Sequence, residues 1–230
     1  ACDEVVLVSE AERGYYRQLG YERLNPRVSV DANGIRLPPM RAPGPRRGML
    51  GYCGRLVPRK HPEYVQMVLA EPGFAHFEAM IAGKAFSAYA RDLLTEHAIE
   101  ERVRHLGWCG GPRLDAFFAA IDVLAQPSTY EPFGLSALEA AARGVPLVCT
   151  PVDGLVEVLG EHAFYCDDTG YPAFLDAMTR WRDADPDAIA ARCAGARARA
   201  LEHFTDLAMA RRYLERFRQI KGTAATTGDD

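Results

Sequence analysis

The sequence predicts a doubly wound α/β fold, a parallel sheet covered by helices, and three observations carry that expectation. Short apolar runs alternate with amphipathic segments through the middle of the chain. Five of those runs read as strands, with four helices between them. The 230 residues are 48% apolar, enough to bury one substantial core.

The strand over 49–54 opens the series and is followed by a helix over 62–70. A strand at 77–82 leads to a helix over 86–97, and a strand at 103–107 to a helix over 113–120. The strand Val123–Gln126, a helix over 135–143 and a strand over 146–149 complete the alternation. Ahead of it, 4–9 reads as a strand, 10–19 as a helix and 27–31 as a second strand. A strand-helix-strand cannot bury both of its faces alone, so residues 1–37 read as the edge of another domain. Residues 38–47 are rich in proline and arginine and read as a linker into a domain spanning 48–220. Three helices are expected at 172–181, 186–201 and 207–220, and the polar segment 221–230 is expected to be a disordered tail.

Composition excludes several function classes. A net charge of −4 gives no reason to expect nucleic acid as a partner, so any phosphate must be gripped by a few placed cations and N–H groups. No apolar run approaches the roughly 20 residues of a membrane span. The six cysteines are scattered without a C-x-x-C, and the six histidines pair with no acid or thiol at metal-ligand spacing. A reduced, cytoplasmic setting and a site without metal are therefore expected. There is no Walker A, G-x-S-x-G or G-x-G-x-x-G pattern.

The segment richest in chemistry is Ser128-Thr129-Tyr130-Glu131-Pro132-Phe133-Gly134-Leu135-Ser136-Ala137-Leu138-Glu139-Ala140. It follows an apolar strand and opens a helix, the place where open α/β sheets bind ligands. A helix starting near Gly134 presents N–H groups and the positive end of its dipole, and glycine leaves room for an anion. Glu131 and Glu139 flank that start. Carboxylates repel phosphate but suit the hydroxyls of sugar and ribose. Glutamates at helix starts are also common on solvated faces, so the E-x7-E spacing by itself leaves a surface role open.

The whole run, continued through Ala141-Ala142-Arg143-Gly144-Val145-Pro146-Leu147-Val148, resembles the E-x7-E signature of retaining GT-B-fold glycosyltransferases, glycosyltransferase family 4 in particular. Upstream, Gly54-Arg55-Leu56-Val57-Pro58-Arg59-Lys60 resembles the family's G-R-L-x-x-x-K loop. Val8-Ser9-Glu10 and Asn33-Gly34-Ile35 resemble the closing strands of the family's first domain. Ala82-Gly83-Lys84 and the stretch 102–107 resemble the segments that hold the nucleotide base. The sequence departs from the family where Lys84-Ala85-Phe86 lacks a second glycine. It departs again where Asp153-Gly154-Leu155-Val156-Glu157 stands for G-G-(I/L)-P-E.

The resemblance implies the Rossmann-like C-terminal half of a GT-B fold, with a partial edge of a first, acceptor-binding domain. It implies transfer of a sugar from a nucleotide diphosphate sugar to an unidentified acceptor hydroxyl, with anomeric retention and no cofactor. Arg55 and Lys60 would neutralise the leaving diphosphate and Glu131 would contact the donor sugar. Gly54, Gly83, Lys84, Phe133, Gly134, Leu135, Ser136 and Glu139 would complete the donor site, Glu139 at the ribose. The alternative is a nucleotide-sugar-binding module that needs a partner chain, one carrying the rest of the first domain, for turnover. A phosphorylase is disfavoured, because the three lysines, Lys60, Lys84 and Lys221, stand in the wrong contexts to hold pyridoxal phosphate.

Overall fold

The computed structural model describes residues 4–25, 27–41, 46–85, 87–95 and 100–226. It contains the predicted α/β architecture. Its main sheet is formed by β3 (Met49–Cys53), β4 (Glu78–Ala82), β5 (Val103–Gly107), β6 (Val123–Gln126), β7 (Leu147–Cys149) and β8 (Phe164–Tyr165). All pairings are parallel, in the order β5-β4-β3-β6-β7-β8. The chain enters at β3, moves outward to β5, then returns to β6 on the other side of β3. That reversal is the switch point of a doubly wound sheet.

Alternate residues of each strand serve two cores. Met49, Leu124 and Leu147 face one side, under α4 (Pro112–Ala120), α5 (Leu135–Ala142), α6 (Asp153–Leu159) and α8 (Pro186–His203). Leu50, Val123 and Val148 face the other, under α2 (Glu63–Ala70), α3 (Ala88–Thr95) and α7 (Tyr171–Asp183). Both faces are apolar because both are covered.

Two elements, α6 and β8, are absent from the sequence pattern. Gly154 and Gly160 punctuate the helix, and a two-residue strand is too short to show a period. Gly154 is required by packing. A Cβ there would stand 2.5 Å from Pro132 O and 2.6 Å from Phe133 N, so α6 rests directly on the acidic loop's backbone.

The segment 1–37 forms β1 (Val5–Leu7), α1 (Glu10–Gln18) and β2 (Val28–Val30), with the strands paired in parallel as a separate two-stranded sheet. Ser9 caps α1 by accepting from Glu12 N, and the Glu157 carboxylate of α6 accepts from Glu10 N at 2.9 Å. The last helix, α9 (Asp206–Thr226), ties this segment down through Arg216, which reaches Asp31 at 2.6 Å and Glu4 at 2.7 Å. α9 runs to Thr226, so the expected tail is helical over its first six residues. Extending an existing helix fixes one residue per added bond, which favours continuation over a clean stop at 220. The tail's last four positions, the tip of the helix expected over 86–97 and most of the 38–47 linker's centre lie outside the described residues. At the linker's flanks, Arg41 N donates to Arg143 O at 3.0 Å and Arg46 to Arg182 O at 2.8 Å.

Replacing Gly154 with alanine should destabilise the fold by about 1–3 kcal/mol in urea unfolding, because backbone must move to admit the methyl group. Gly14→Ala, in α1 with nothing within 4 Å of its added carbon, should be neutral or stabilising by up to about 1 kcal/mol.

Candidate functional site

A cleft of ≈ 400 Å³ opens at the carboxyl ends of β3 and β6, walled by Gly54, Arg55 and Lys60 on one side and by Glu131, Gly134 and Ser136 on the other. A second cavity of ≈ 260 Å³ adjoins it across Gly54 and Arg55 and reaches Gly83, Lys84 and Trp108. Two segments far apart in sequence, and a third from the loop after β4, thus meet at one place.

Helix α5 begins at Gly134, which has φ +94° and ψ 52° and contributes no side-chain cap. A side chain is costly at that φ, so glycine makes the sharp turn and leaves the first N–H groups facing the cleft. The helix closes with Gly144 N donating to Ala141 O and Val145 N to Ala140 O, both at 3.0 Å, which fixes its far end. Leu135 is exposed, whereas Phe133 is buried with its ring edge-on to Phe204.

The cationic loop after β3 is held against the acidic loop. Arg59 O accepts from Thr129 N at 2.8 Å, and the Arg59 guanidinium donates to Tyr130 O at 2.8 Å while lying over the Tyr130 ring. Lys60 Nζ donates to Glu131 Oε2 at 2.6 Å, both side chains about nine-tenths buried (11% and 10% exposed). The two residues assigned by sequence to different parts of a donor are therefore in direct contact. Arg55 is exposed at the meeting point of the two cavities. On the other side, Gly83 packs so closely on Gly54 O that a Cβ has no space, and Gly83 O contacts His105 Nε2 at 2.7 Å. Lys84 is exposed beside it.

Glu139 lies one turn deeper on α5 and is half-buried. Burial raises its pKa above the ordinary carboxylate value; Arg143 opposes the shift and Asp115 adds to it. Burial first, and then the nearby Glu139 charge, push the Cys53 thiol up to about 12. Five described cysteines are unpaired thiols. Among the described residues no helix is long and apolar enough to cross a membrane.

Several residues at or behind the cleft carry no role in the sequence reading, Val8, Asn33 and Gln126 among them. Val8 and Asn33 come from the first segment and close the cleft from above. Gln126, at the end of β6, lies behind it and is 2% exposed. The Asn33-Gly34 motif was visible in sequence, but only tertiary contact brings it to α5. A glutamine in an apolar strand was the available signal for the third.

A doubly wound sheet with a cationic loop, an uncapped helix start and a buried carboxylate at its switch point has the chemistry to receive an anion beside hydroxyl groups. The chain belongs to the family of glycosyl transferases group 1, whose model matches residues 42–193. It is 35% identical over 113 residues to an uncharacterized glycosyltransferase of Methanocaldococcus jannaschii, covering 48% of this chain and 29% of that protein. It is 34% identical over 150 residues to the D-inositol 3-phosphate glycosyltransferase of Nocardia farcinica (61% and 32%). To the glycogen synthase of Mycobacterium tuberculosis it is 32% identical over 186 residues (77% and 45%). The chain spans less than half the length of each. Among solved structures, sucrose-phosphate synthase of Thermosynechococcus elongatus superposes with a TM-score of 0.84 at 24% identity, covering 97% of this chain and 59% of that one. Anabaena HepE in complex with UDP and glucose gives 0.80 at 22% identity (94% and 63%). These likenesses establish the fold, a Rossmann-like domain with GT-B neighbours.

Two outcomes test the site's electrostatics. A double-mutant cycle on Lys60→Ala and Glu131→Gln, read by urea unfolding, should return a coupling energy of about 0.5–3 kcal/mol, since Lys60→Ala alone strands a buried carboxylate. For Glu139, a raised native pKa means that its contribution is full below the unfolded value and is lost as pH rises through the native one. Glu139→Gln should therefore gain stability relative to the parent chain as pH rises above about 4.3, the gain levelling off once pH has passed the raised native pKa, measured as the difference in urea midpoints.

Proposed function

We propose that this chain is the donor-binding part of a retaining glycosyltransferase of family 4. It would hold a nucleotide diphosphate sugar in the cleft between β3 and β6 and pass the sugar to an acceptor hydroxyl. The observation that carries the reading is the Lys60–Glu131 pair set beside the uncapped start of α5, which places a cation, a hydroxyl-accepting carboxylate and N–H donors around one cleft.

In this reading the diphosphate lies between Arg55, Lys60 and the amides of Gly134, Leu135 and Ser136. The sugar lies toward Glu131 and the ribose toward Glu139. The base extends past Gly54 and Phe133 into the smaller cavity, bounded by Gly83 and Lys84. The bond between the sugar's anomeric carbon and the diphosphate breaks as the bond to the acceptor oxygen forms, and the acceptor hydroxyl's proton passes to the departing phosphate. Negative charge grows on the departing phosphate oxygen, where fixed cations and dipoles stabilise it most. The reaction needs no metal or prosthetic group.

The HepE complex with UDP and glucose and the relatives' names support a nucleotide-sugar donor. Residues 1–37 are, in this reading, the edge of an acceptor-binding domain, joined by 38–47 to the donor domain of 48–220. That β1 and β2 form a sheet of their own supports that division.

Thermal melting with UDP, GDP and ADP tests the proposal. A nucleotide at about 100 times its dissociation constant adds about 2.7 kcal/mol, a rise of roughly 5–10 °C for a chain of this size. One nucleotide should produce that rise, and Arg55→Ala, at an exposed position, should abolish most of it without lowering the unliganded melting temperature. No rise with any nucleotide would refute the donor site. Binding without sugar transfer by a full-length chain would favour the partner-dependent binding module.

A further inference from the structure

Gln126 closes the back of the cleft, and its side chain touches both of the walls that the proposed function assigns to the diphosphate. Its Nε2 donates to Cys53 O at 3.0 Å, the carbonyl immediately before Gly54-Arg55, and its Oε1 accepts from Ser136 Oγ at 3.3 Å, in the first turn of α5. The carbonyl of Cys53 is an acceptor only, so it fixes which end of the amide faces it. Oε1 must then face Ser136, and the Ser136 hydroxyl must spend its proton on Gln126. The main chain of Gln126 is held as well, for its backbone O accepts from Thr150 N at 3.3 Å.

The other links between the loop after β3 and the 128–134 loop lie at the far end: Thr129 to Arg59, Arg59 to Tyr130 and Lys60 to Glu131. At the Gly54–Arg55 end, the Gln126 amide is the bridge to α5 that the hydrogen bonds among the described residues provide. We propose that Gln126 is a positioning residue that sets the separation between the cationic loop and the helix start, and so selects a diphosphate over a monophosphate. The inference rests on the donor-site reading above. Two anion-binding walls grip both phosphates only at one spacing, and displacement by about an ångström is enough to lose much of the gain. A monophosphate engages fewer of these groups and depends less on the spacing.

Calorimetric titration of this chain with UDP and UMP, GDP and GMP, and ADP and AMP tests it. In Gln126→Met, which keeps length and loses both hydrogen bonds, the diphosphate-to-monophosphate affinity ratio should fall roughly tenfold, about 1.4 kcal/mol. Monophosphate affinity should stay within about threefold. Adding Ser136→Ala to Gln126→Met should lower the ratio no further, because both act through one tie. An unchanged ratio, or equal losses for both nucleotides, would overturn the proposal, and a further fall on adding Ser136→Ala would show that the two residues act independently and overturn it too. If Gln126→Met does not melt cooperatively, Gln126→Asn, with both amide groups one methylene short, is read by the same ratio. A parent chain with no preference for any diphosphate would instead refute the donor site itself.

Discussion

The cleft depends on β3 and β6 lying side by side while the helices that follow them leave for opposite faces of the sheet. α2 packs on the face of Leu50 and Val123, and α5 on the face of Leu124 and Leu147. Neither connection can cover the strand ends it leaves behind. A crevice therefore opens between the loop 54–60 and the loop 128–134, and the parallel topology points every strand's carboxyl end toward it. Residues more than seventy positions apart meet there for a reason of topology alone.

Charge is handled locally in that crevice. The chain as a whole is acidic, at −4, yet the walls carry Arg55, Arg59 and Lys60. Lys60 and Glu131 neutralise each other at 2.6 Å with little solvent between. Removing either one leaves a desolvated charge, which is more costly than the pair's net contribution. Arg59 works differently, bracing Tyr130 through its carbonyl and ring and so holding the loop that presents Glu131.

The first segment is fastened to the same framework by polar contacts and by Val8, Ala32, Ile35 and Leu37 packing on the core, rather than by a shared sheet. Asp31 is 3% exposed and ion-pairs with Arg216 of α9, which also reaches Glu4. Ile35 N donates to Phe204 O at 2.9 Å, and Asp206 N to Ile35 O at 3.0 Å. Glu157 of α6, the helix that Gly154 seats on the acidic loop, supports the start of α1. These ties bring Val8 and Asn33 to the mouth of the cleft.

The sequence by itself determined the α/β class, the strand-helix order from residue 49 to residue 149, and the two loops that would meet. Those features are local: apolar runs, helix starts and glycines at turns are set by neighbours in the chain. It did not disclose α6 and β8, where glycines and brevity erase the period, or the continuation of α9 to Thr226. Nor could it show Lys60 against Glu131, Gln126 bridging Cys53 and Ser136, or Asn33 over the cleft. Only tertiary structure decided these, because each is a contact between segments whose separation is fixed by how two cores pack on one sheet, and no periodicity along the chain encodes that distance.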